Sequence, residues 1–399
     1  MSVMEIDADI PTVLAVLREN SSPELSAVFY QLEDLYERKL WYQLTLVLET
    51  DFYGSEHSRG IRLRLFQRFI LNFYNKINLL KLIQFLLASL DEVETADESL
   101  SLLNDLKLKI LKDSEKLEKE DKNDQYTQAL VFISCEIANI KLQLSEIDDA
   151  KKLLDDCQLK IDQLNSIDNR INASYYKTLS NYQKLSSDYN SYYKTSLLYL
   201  ACINNDLTIL KDQKDEFIYN LSISAILGNK IYNFGEIIMH EIFNNLKIEW
   251  LKKLILSLND GNLIEFNKIL LKNEKDIKKS LNSLDLKFLN EKICIMTFIK
   301  LIFIKSSNRK ILTYDEILKE ITNLSTLAEI EHLCMKCLSL NLIKGYINQV
   351  NKEIEITWVQ PRTMNKPQIE IIRNKLVDWN NNVSKLSDYM ADNGKQVWV

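Results

Sequence analysis

Residues 310–359 decide the fold, and they run KILTYDEILKEITNLSTLAEIEHLCMKCLSLNLIKGYINQVNKEIEITWV. The segment opens on a short strand candidate at 310–312. Thr313 and Thr326 are each followed three residues later by a glutamate, and this capping box predicts that a helix starts after each threonine. Apolar and polar residues then alternate over 343–358, which predicts two strands joined by a turn. A strand, two helices and a hairpin in this order predict a winged helix.

The rest of the chain is predicted to be almost entirely helical. Its 399 residues include seven glycines and four prolines, far below the average usage of about 7% and 5%. Sandwiches, barrels and glycine-rich nucleotide folds need these residues at many turns. Apolar stripes over 130–144 and 150–164, joined by a short link, predict antiparallel helical hairpins of the tetratricopeptide type. The predicted fold class is therefore mostly α, with a right-handed helical-repeat array before the winged helix.

These patterns predict three regions along the chain. Residues 1–189 form the helical repeats. Residues 190–361 contain further helices and then the winged helix, at about 306–360. Prolines interrupt the chain after this region, and residues 367–399 form a last helix and a tail.

The last helix carries an apolar stripe whose members are spaced three and four residues apart. The stripe consists of Ile369, Ile372, Leu376, Trp379, Val383, Leu386 and Met390. This is the a/d pattern of a helix that packs lengthwise against other helices. We expect the stripe to be an interface in a bundle with helices of partner subunits. The alternative is that it folds back on this chain's own winged helix.

The residues needed for catalysis or for binding metals and cofactors are scarce. The chain has three histidines and lacks the common zinc-protease, serine-hydrolase and phosphate-loop motifs. The best metal candidate is His332 with Cys334 and Cys337, but a structural zinc site needs four ligands. The two cysteines also fall at helical spacing with apolar neighbours, which favours a role in the core. We therefore expect no catalytic, cofactor or metal site.

The charge of the chain argues against binding to nucleic acids and to anionic membranes. The formal net charge is −6, and the second helix of the winged helix offers Lys336 against Glu329 and Glu331. Such a surface lacks the counterion release that dominates DNA binding. We expect neither nucleic acid nor membrane as a partner, with a winged-helix nucleic-acid-binding protein as an alternative. Six scattered cysteines indicate a reducing compartment.

Several segments recur in order in one known family. They include Glu37-Arg38-Lys39-Leu40-Trp41, Arg62-Leu63-Arg64-Leu65, Leu227-Gly228-Asn229-Lys230-Ile231-Tyr232-Asn233-Phe234-Gly235-Glu236, Thr357-Trp358-Val359-Gln360-Pro361-Arg362 and the terminal Val397-Trp398-Val399. A helical array that runs into a winged helix resembles the PCI domain. With these segments, the chain resembles the PCI-domain subunits of the 26S proteasome lid.

The resemblance implies a function and a set of partners. It implies a PCI domain over 190–361 and a non-catalytic scaffold in the lid of the 19S regulatory particle, which supports lid assembly and ubiquitin-dependent protein degradation. The implied partners are other PCI subunits of the lid and a ubiquitin-receptor subunit, in the cytoplasm and nucleus. The architecture alone leaves open a PCI subunit of the signalosome or of a translation initiation factor. We also expect the winged-helix sheet to contact a neighbouring PCI subunit through its exposed edge. The face that carries Ile343, Ile347, Ile354, Ile356 and Trp358 is expected to belong to the core of the domain.

Overall fold

The chain forms two compact units, residues 1–209 and 210–399. The computed structural model describes residues 10–19, 23–93, 95–114, 120–164, 166–203, 214–274, 277, 286–305, 310–323, 326–363 and 366–394. The predicted tail after 394 and the start of the predicted winged helix at 306–309 lie outside these residues. The domain boundaries given above stay predictions.

The first unit is built from α-helices. They are α1 (Ile10–Glu19), α2 (Ser26–Glu37), α3 (Trp41–Val47), α4 (Arg62–Arg68), α5 (Leu79–Leu90), α6 (Ala96–Ser114), α7 (Glu120–Gln143), α8 (Ile147–Gln163), α9 (Asn169–Leu185) and α10 (Tyr189–Cys202). Short turns at Ser145 and Ser187, both with positive φ, join α7 to α8 and α9 to α10. Each pair packs together. The predicted helical hairpins are confirmed.

Leu65, Phe69, Phe73 and Ile77 are spaced four residues apart, which predicts one apolar helix face. All four are buried, but they do not lie on one continuous helix. Between α4 and α5 the chain makes two short 3-10 turns. Asn78 then caps α5 by accepting a hydrogen bond from a backbone N–H. The ring of Phe73 stacks on that of Trp41 in α3, with centroids 5.5 Å apart. This ring contact stabilises the chain where the helix is interrupted between α4 and α5.

The second unit begins with a helical part. It consists of α11 (Lys214–Leu227), α12 (Gly235–Met239), α13 (Glu249–Asp260), α14 (Leu263–Lys272) and α15 (Leu286–Ile304). Asn259-Asp260-Gly261-Asn262 is a turn signal in the sequence, and the structure has a turn there between α13 and α14. Gly261 has a φ of +58°, and a Cβ atom there would lie 3.0 Å from the carbonyl oxygen of Met296. Glycine therefore suits both the backbone conformation and the close approach of α15.

A winged helix follows in the predicted order. Its elements are β1 (Lys310–Thr313), α16 (Tyr314–Glu320), α17 (Leu327–Ser339), β2 (Ile343–Asn348) and β3 (Glu353–Val359). The sheet has the order β1-β3-β2, and both strand pairs are antiparallel. Both predicted capping boxes are present at Thr313 and Thr326. The winged helix is confirmed.

Trp358 corrects one expectation about this sheet. Simple alternation places it in the core with Ile354 and Ile356, but those two are 2% and 4% exposed whereas Trp358 is 42% exposed. A bulge explains the difference. Lys344 pairs with Trp358, and the next residue of β2 pairs with Ile356. The extra residue on β3 shifts the alternation, so that the indole points away from the core.

The chain ends in a long helix, α18 (Lys366–Gly394), of 29 residues. Helical repeats, winged helix and terminal helix together confirm the mostly-α fold class.

Candidate interaction surface

The seven predicted stripe residues lie on one side of α18 and are exposed. Their exposed fractions run from 39% at Ile372 to 67% at Trp379. Tyr389 is also exposed and extends the same side by its helical position. Glu370 and Asp388 lie on the opposite side of the helix. An apolar face of this length in contact with water is typical of a surface that binds a partner.

The exposed face of the winged-helix sheet forms a smaller aromatic surface. It contains Trp358 and Tyr346, the latter 55% exposed. The ammonium of Lys344 lies 5.2 Å from the centroid of the Trp358 ring, and the hydroxyl of Tyr346 donates to the carboxylate of Glu355. Tryptophan and tyrosine are the residues that most often dominate binding energy at interfaces. The sequence predicted a contact through the exposed edge of this sheet, without naming its residues, whereas Tyr346 and Trp358 lie on its exposed face.

The polar residues of α17 interact within this unit. Lys336 forms an ion pair with Glu291 of α15. Glu331 accepts hydrogen bonds from the Tyr314 hydroxyl at 3.1 Å and from the Gln349 amide at 3.4 Å. The helix that reads DNA in other winged helices therefore uses these charges to hold its own domain together.

His332, Cys334 and Cys337, the best metal candidate in the sequence, do not converge. His332 is exposed, whereas Cys334 and Cys337 are buried on the other side of α17. Burial raises the pKa of Cys337 to about 12, so that its thiol stays protonated at neutral pH. In the described parts of the chain, no three histidine, cysteine, aspartate or glutamate side chains are placed to hold a metal ion. The interpretation of the two cysteines as core residues is confirmed.

A cleft of about 520 Å³ lies between α14, α15 and α17. Its lining includes Asn267, Asn290, Asn323 and His332. Cys294 also lines it, and burial raises the pKa of its thiol to about 11. A protonated thiol is a poor nucleophile, so Cys294 is not activated for nucleophilic attack.

Lys292 of α15 is a structural residue that sequence analysis missed. Its side chain is fully buried, and its ammonium donates hydrogen bonds of 2.9 Å to the carbonyl oxygens of Ala225, Ile226 and Gly228. It also lies 5.1 Å from the centroid of the Phe234 ring. Burial lowers its pKa to about 7. The available signal was a lysine directly before the apolar run 293–299 of α15.

No helix in the described residues is long and apolar enough to cross a membrane.

The sequence is similar to those of known proteins over nearly the whole chain. Family profiles for PSD13 N-terminal repeats and for the Rpn9 C-terminal helix match residues 28–255 and 362–394. The chain is 38% identical to 26S proteasome regulatory subunit RPN9 of Saccharomyces cerevisiae, over 98% of this chain and 99% of that protein. It is 34% identical to 26S proteasome non-ATPase regulatory subunit 13 homolog A of Arabidopsis thaliana, over 90% and 92%. COP9 signalosome complex subunit 7 of Dictyostelium discoideum matches at 25% identity, over 46% of this chain and 66% of that protein.

Helical repeats followed by a winged helix are the architecture of the PCI class of proteins. The matches to the two family profiles identify one family within that class. The chain belongs to the PSD13/Rpn9 family of 26S proteasome regulatory subunits. The resemblance stated from the sequence is confirmed, and the signalosome alternative is disfavoured because its match covers less than half of the chain.

Proposed function

We propose that this chain is a non-catalytic scaffold subunit in the lid of the 19S regulatory particle of the 26S proteasome. In that position it supports lid assembly and ubiquitin-dependent protein degradation. The exposed stripe of α18 is the observation that carries the proposal. It lies in the segment that matches the Rpn9 C-terminal helix, and the relatives from yeast and Arabidopsis are named as proteasome regulatory subunits.

The stripe is large enough to hold a subunit in a helical bundle. Burying a side chain of this kind contributes about 1.5–3 kcal/mol, so seven contribute roughly 10–20 kcal/mol. Joining a partner costs an estimated 4–15 kcal/mol. The occupants we propose are the C-terminal helices of other PCI subunits, because a/d spacing suits a helix as the partner.

The aromatic surface of the sheet is a second proposed contact, with the winged helix of a neighbouring PCI subunit. Tyr346 and Trp358 are exposed on the two adjacent strands β2 and β3. Their side chains are amphipathic, as interface residues commonly are. We also propose a ubiquitin-receptor subunit of the regulatory particle as a neighbour, and a location in the cytoplasm and nucleus.

Native purification tests the proposal most directly. A tagged full-length chain should co-migrate with the other lid subunits, and mass spectrometry should identify them. The same purification from cells expressing a tagged signalosome subunit should not recover the chain. Recovery with the signalosome, or as a free monomer only, would contradict the proposal.

The absence of an enzymatic activity is tested on the isolated chain. We expect no cleavage of peptides or ubiquitin conjugates and no hydrolysis of ATP. Turnover by the pure protein that is lost on His332→Ala would contradict this.

A gel-shift titration at low salt tests the nucleic-acid alternative. Micromolar binding that weakens steeply as salt rises would favour it.

A further inference from the structure

Every side chain of α18 from residue 372 to residue 393 is exposed. A surface helix of a globular protein normally buries its apolar face against its own domain, and α18 does not do so over this length. The position of each charge on this helix can therefore be compared directly with the position of the stripe.

The spacing of the stripe assigns the residues of α18 to heptad positions. Position a is occupied by Ile369, Leu376, Val383 and Met390, and position d by Ile372, Trp379 and Leu386. In a helical bundle, positions e and g flank this seam and face the partner helices, whereas b, c and f point away from them. A charge at e or g therefore meets a partner on assembly, and a charge at b, c or f stays in water.

Positive charge lies directly beside the stripe. Arg373 occupies the e position after Ile372, and Lys375 occupies the g position before Leu376. The two residues flank the stripe on its two sides within one helical turn. Between residues 372 and 393, no acidic residue occupies an e or g position.

The acidic residues of α18 lie away from the stripe. Positions b, c and f are occupied by Glu370, Asp378, Asp388 and Asp392, together with Lys385. The helix therefore separates its charges. Both charged residues beside the apolar face are basic, and all the carboxylates between residues 370 and 393 are on the outer side.

The flanks of the stripe also change along the helix. Asn380 and Asn382 occupy the same two heptad positions as Arg373 and Lys375, seven residues later. Ser387 occupies the next e position, and it is uncharged as well. Positive charge is thus confined to the flanks of the N-terminal half of the stripe, so the flanking charge distinguishes the two ends of this surface.

Charges at e and g positions decide which helix binds and in which orientation. They form ion pairs between helices, and these pairs set partner choice and direction. Opposite charges across an interface speed association, and like charges that face each other disfavour it. A helix that was shifted by a heptad or reversed would bring acidic residues to Asn380 and Asn382, which offer no charge.

We propose that the stripe of α18 binds a helix that carries acidic side chains beside its own apolar face, opposite Arg373 and Lys375. The inference rests on the proposed function, which makes the C-terminal helices of other PCI subunits the occupants, and it adds the charge of the helix that fits. Arg373 and Lys375 are then the residues that fix the register and direction of this partner.

The test measures binding of the full-length chain to lid particles that lack this subunit. The neutral variant, Arg373→Gln with Lys375→Gln, removes both charges and keeps good helix formers. At about 50 mM salt we expect it to bind at least about fivefold more weakly than the parent. At about 400 mM salt the two proteins should bind alike, because salt screens the lost ion pairs.

The matched control exchanges the two flanking pairs within one chain. This exchanged variant carries Arg373→Asn, Lys375→Asn, Asn380→Arg and Asn382→Lys, so its composition and net charge equal those of the parent. Its positive charges are moved by one heptad. We expect it to bind as weakly as the neutral variant at about 50 mM salt. Circular dichroism should show the parent's helical content for both free variants, because all four positions are exposed.

A zero-length crosslink tests the chemistry of the partner directly. In the assembled parent particle, a carbodiimide should couple the amine of Lys375 to a carboxylate on a helix of another subunit, and mass spectrometry identifies the linked peptides. The same reagent should give no crosslink from Lys385, which points away from the stripe.

Four results would overturn the inference. They are parent-like binding of the neutral variant at about 50 mM salt, parent-like binding of the exchanged variant, a defect of the neutral variant that persists at about 400 mM salt, and a Lys375 amine that couples to no other subunit. Failure of the proposed function has a different signature, because the stripe variant Leu376→Asp with Trp379→Asp would then still enter the lid.

Discussion

The ammonium nitrogen of Lys292 lies 2.9 Å from the carbonyl oxygen of Gly228, in the first residue after α11. Because the same nitrogen also reaches the carbonyls of Ala225 and Ile226, all three donors of the ammonium have acceptors. The last carbonyls of a helix carry partial negative charge and have no partner within the helix. Lys292 therefore caps α11 from within the core.

Replacing Lys292 should destabilise the second unit. Lys292→Met removes the donors and leaves three buried carbonyl oxygens without them, so we expect the free energy of unfolding to fall by about 3 kcal/mol. Urea denaturation of the full chain measures this. The control is Lys300→Met, an exposed lysine of the same helix, which should change the stability by less than about 0.5 kcal/mol. Equal effects of the two substitutions would show that the cap contributes nothing.

Glu316 should give the winged helix a pH-dependent stability. Its hydrogen bond with Lys305 and its capping contact with Thr313 hold its pKa below the usual 4.5. A carboxylate whose pKa is lower in the folded than in the unfolded protein stabilises the fold. Its full contribution is present at pH values above the pKa of the unfolded state, and it is lost as the pH falls through the pKa of the folded state.

The substitution Glu316→Ala should cost about 1 kcal/mol at pH 7, the usual effect of a lost cap. Denaturation curves from pH 7 down to 3 should show this difference shrinking below pH 4.5. Glu320→Ala, at the other end of the same helix, is the control. A cost for Glu316→Ala that is independent of pH would contradict the assignment.

The bulge in β3 predicts that substitutions at Ile356 and Trp358 differ strongly in their cost to stability. Ile356→Ser should cost about 3 kcal/mol because Ile356 is buried. Trp358→Ser should cost less than about 1 kcal/mol, mainly the lost contact with Lys344. In the assembled lid, Trp358→Ser with Tyr346→Ser should lower the yield of crosslinks from β2 to a neighbouring subunit. A large loss of monomer stability on Trp358→Ser would place the indole in the core.

Local chemistry made much of the fold predictable. Thr313 and Thr326 act through hydrogen bonds to residues three positions away, so the sequence alone reveals them. Trp358 was placed wrongly because a bulge depends on how β3 pairs with β2. Lys292 meets acceptors 64 to 67 residues away, which no local pattern encodes. The spacing of the α18 stripe was readable, whereas its exposure depends on the tertiary structure.

The stripe of α18 gives the most specific prediction. Leu376→Asp combined with Trp379→Asp places two charges at the centre of an apolar face whose residues are 58% and 67% exposed at these positions. In the free chain these charges stay in water, so the melting temperature and helical content of the monomer should remain close to those of the parent. In a bundle they would be buried without partners, at a cost of several kcal/mol. The variant should therefore fail to enter lid particles that lack this subunit.

The matched control is Asn381→Asp with Ser384→Asp, which adds the same charge to the same helix away from the stripe. It should enter the lid as the parent does, which separates loss of the apolar face from a general effect of charge. Native gels of reconstituted particles measure incorporation, and circular dichroism measures the monomer. If the stripe variant unfolds at a much lower temperature than the control, α18 belongs to the core of its own chain. If both variants enter the lid equally well, the stripe is not the assembly surface.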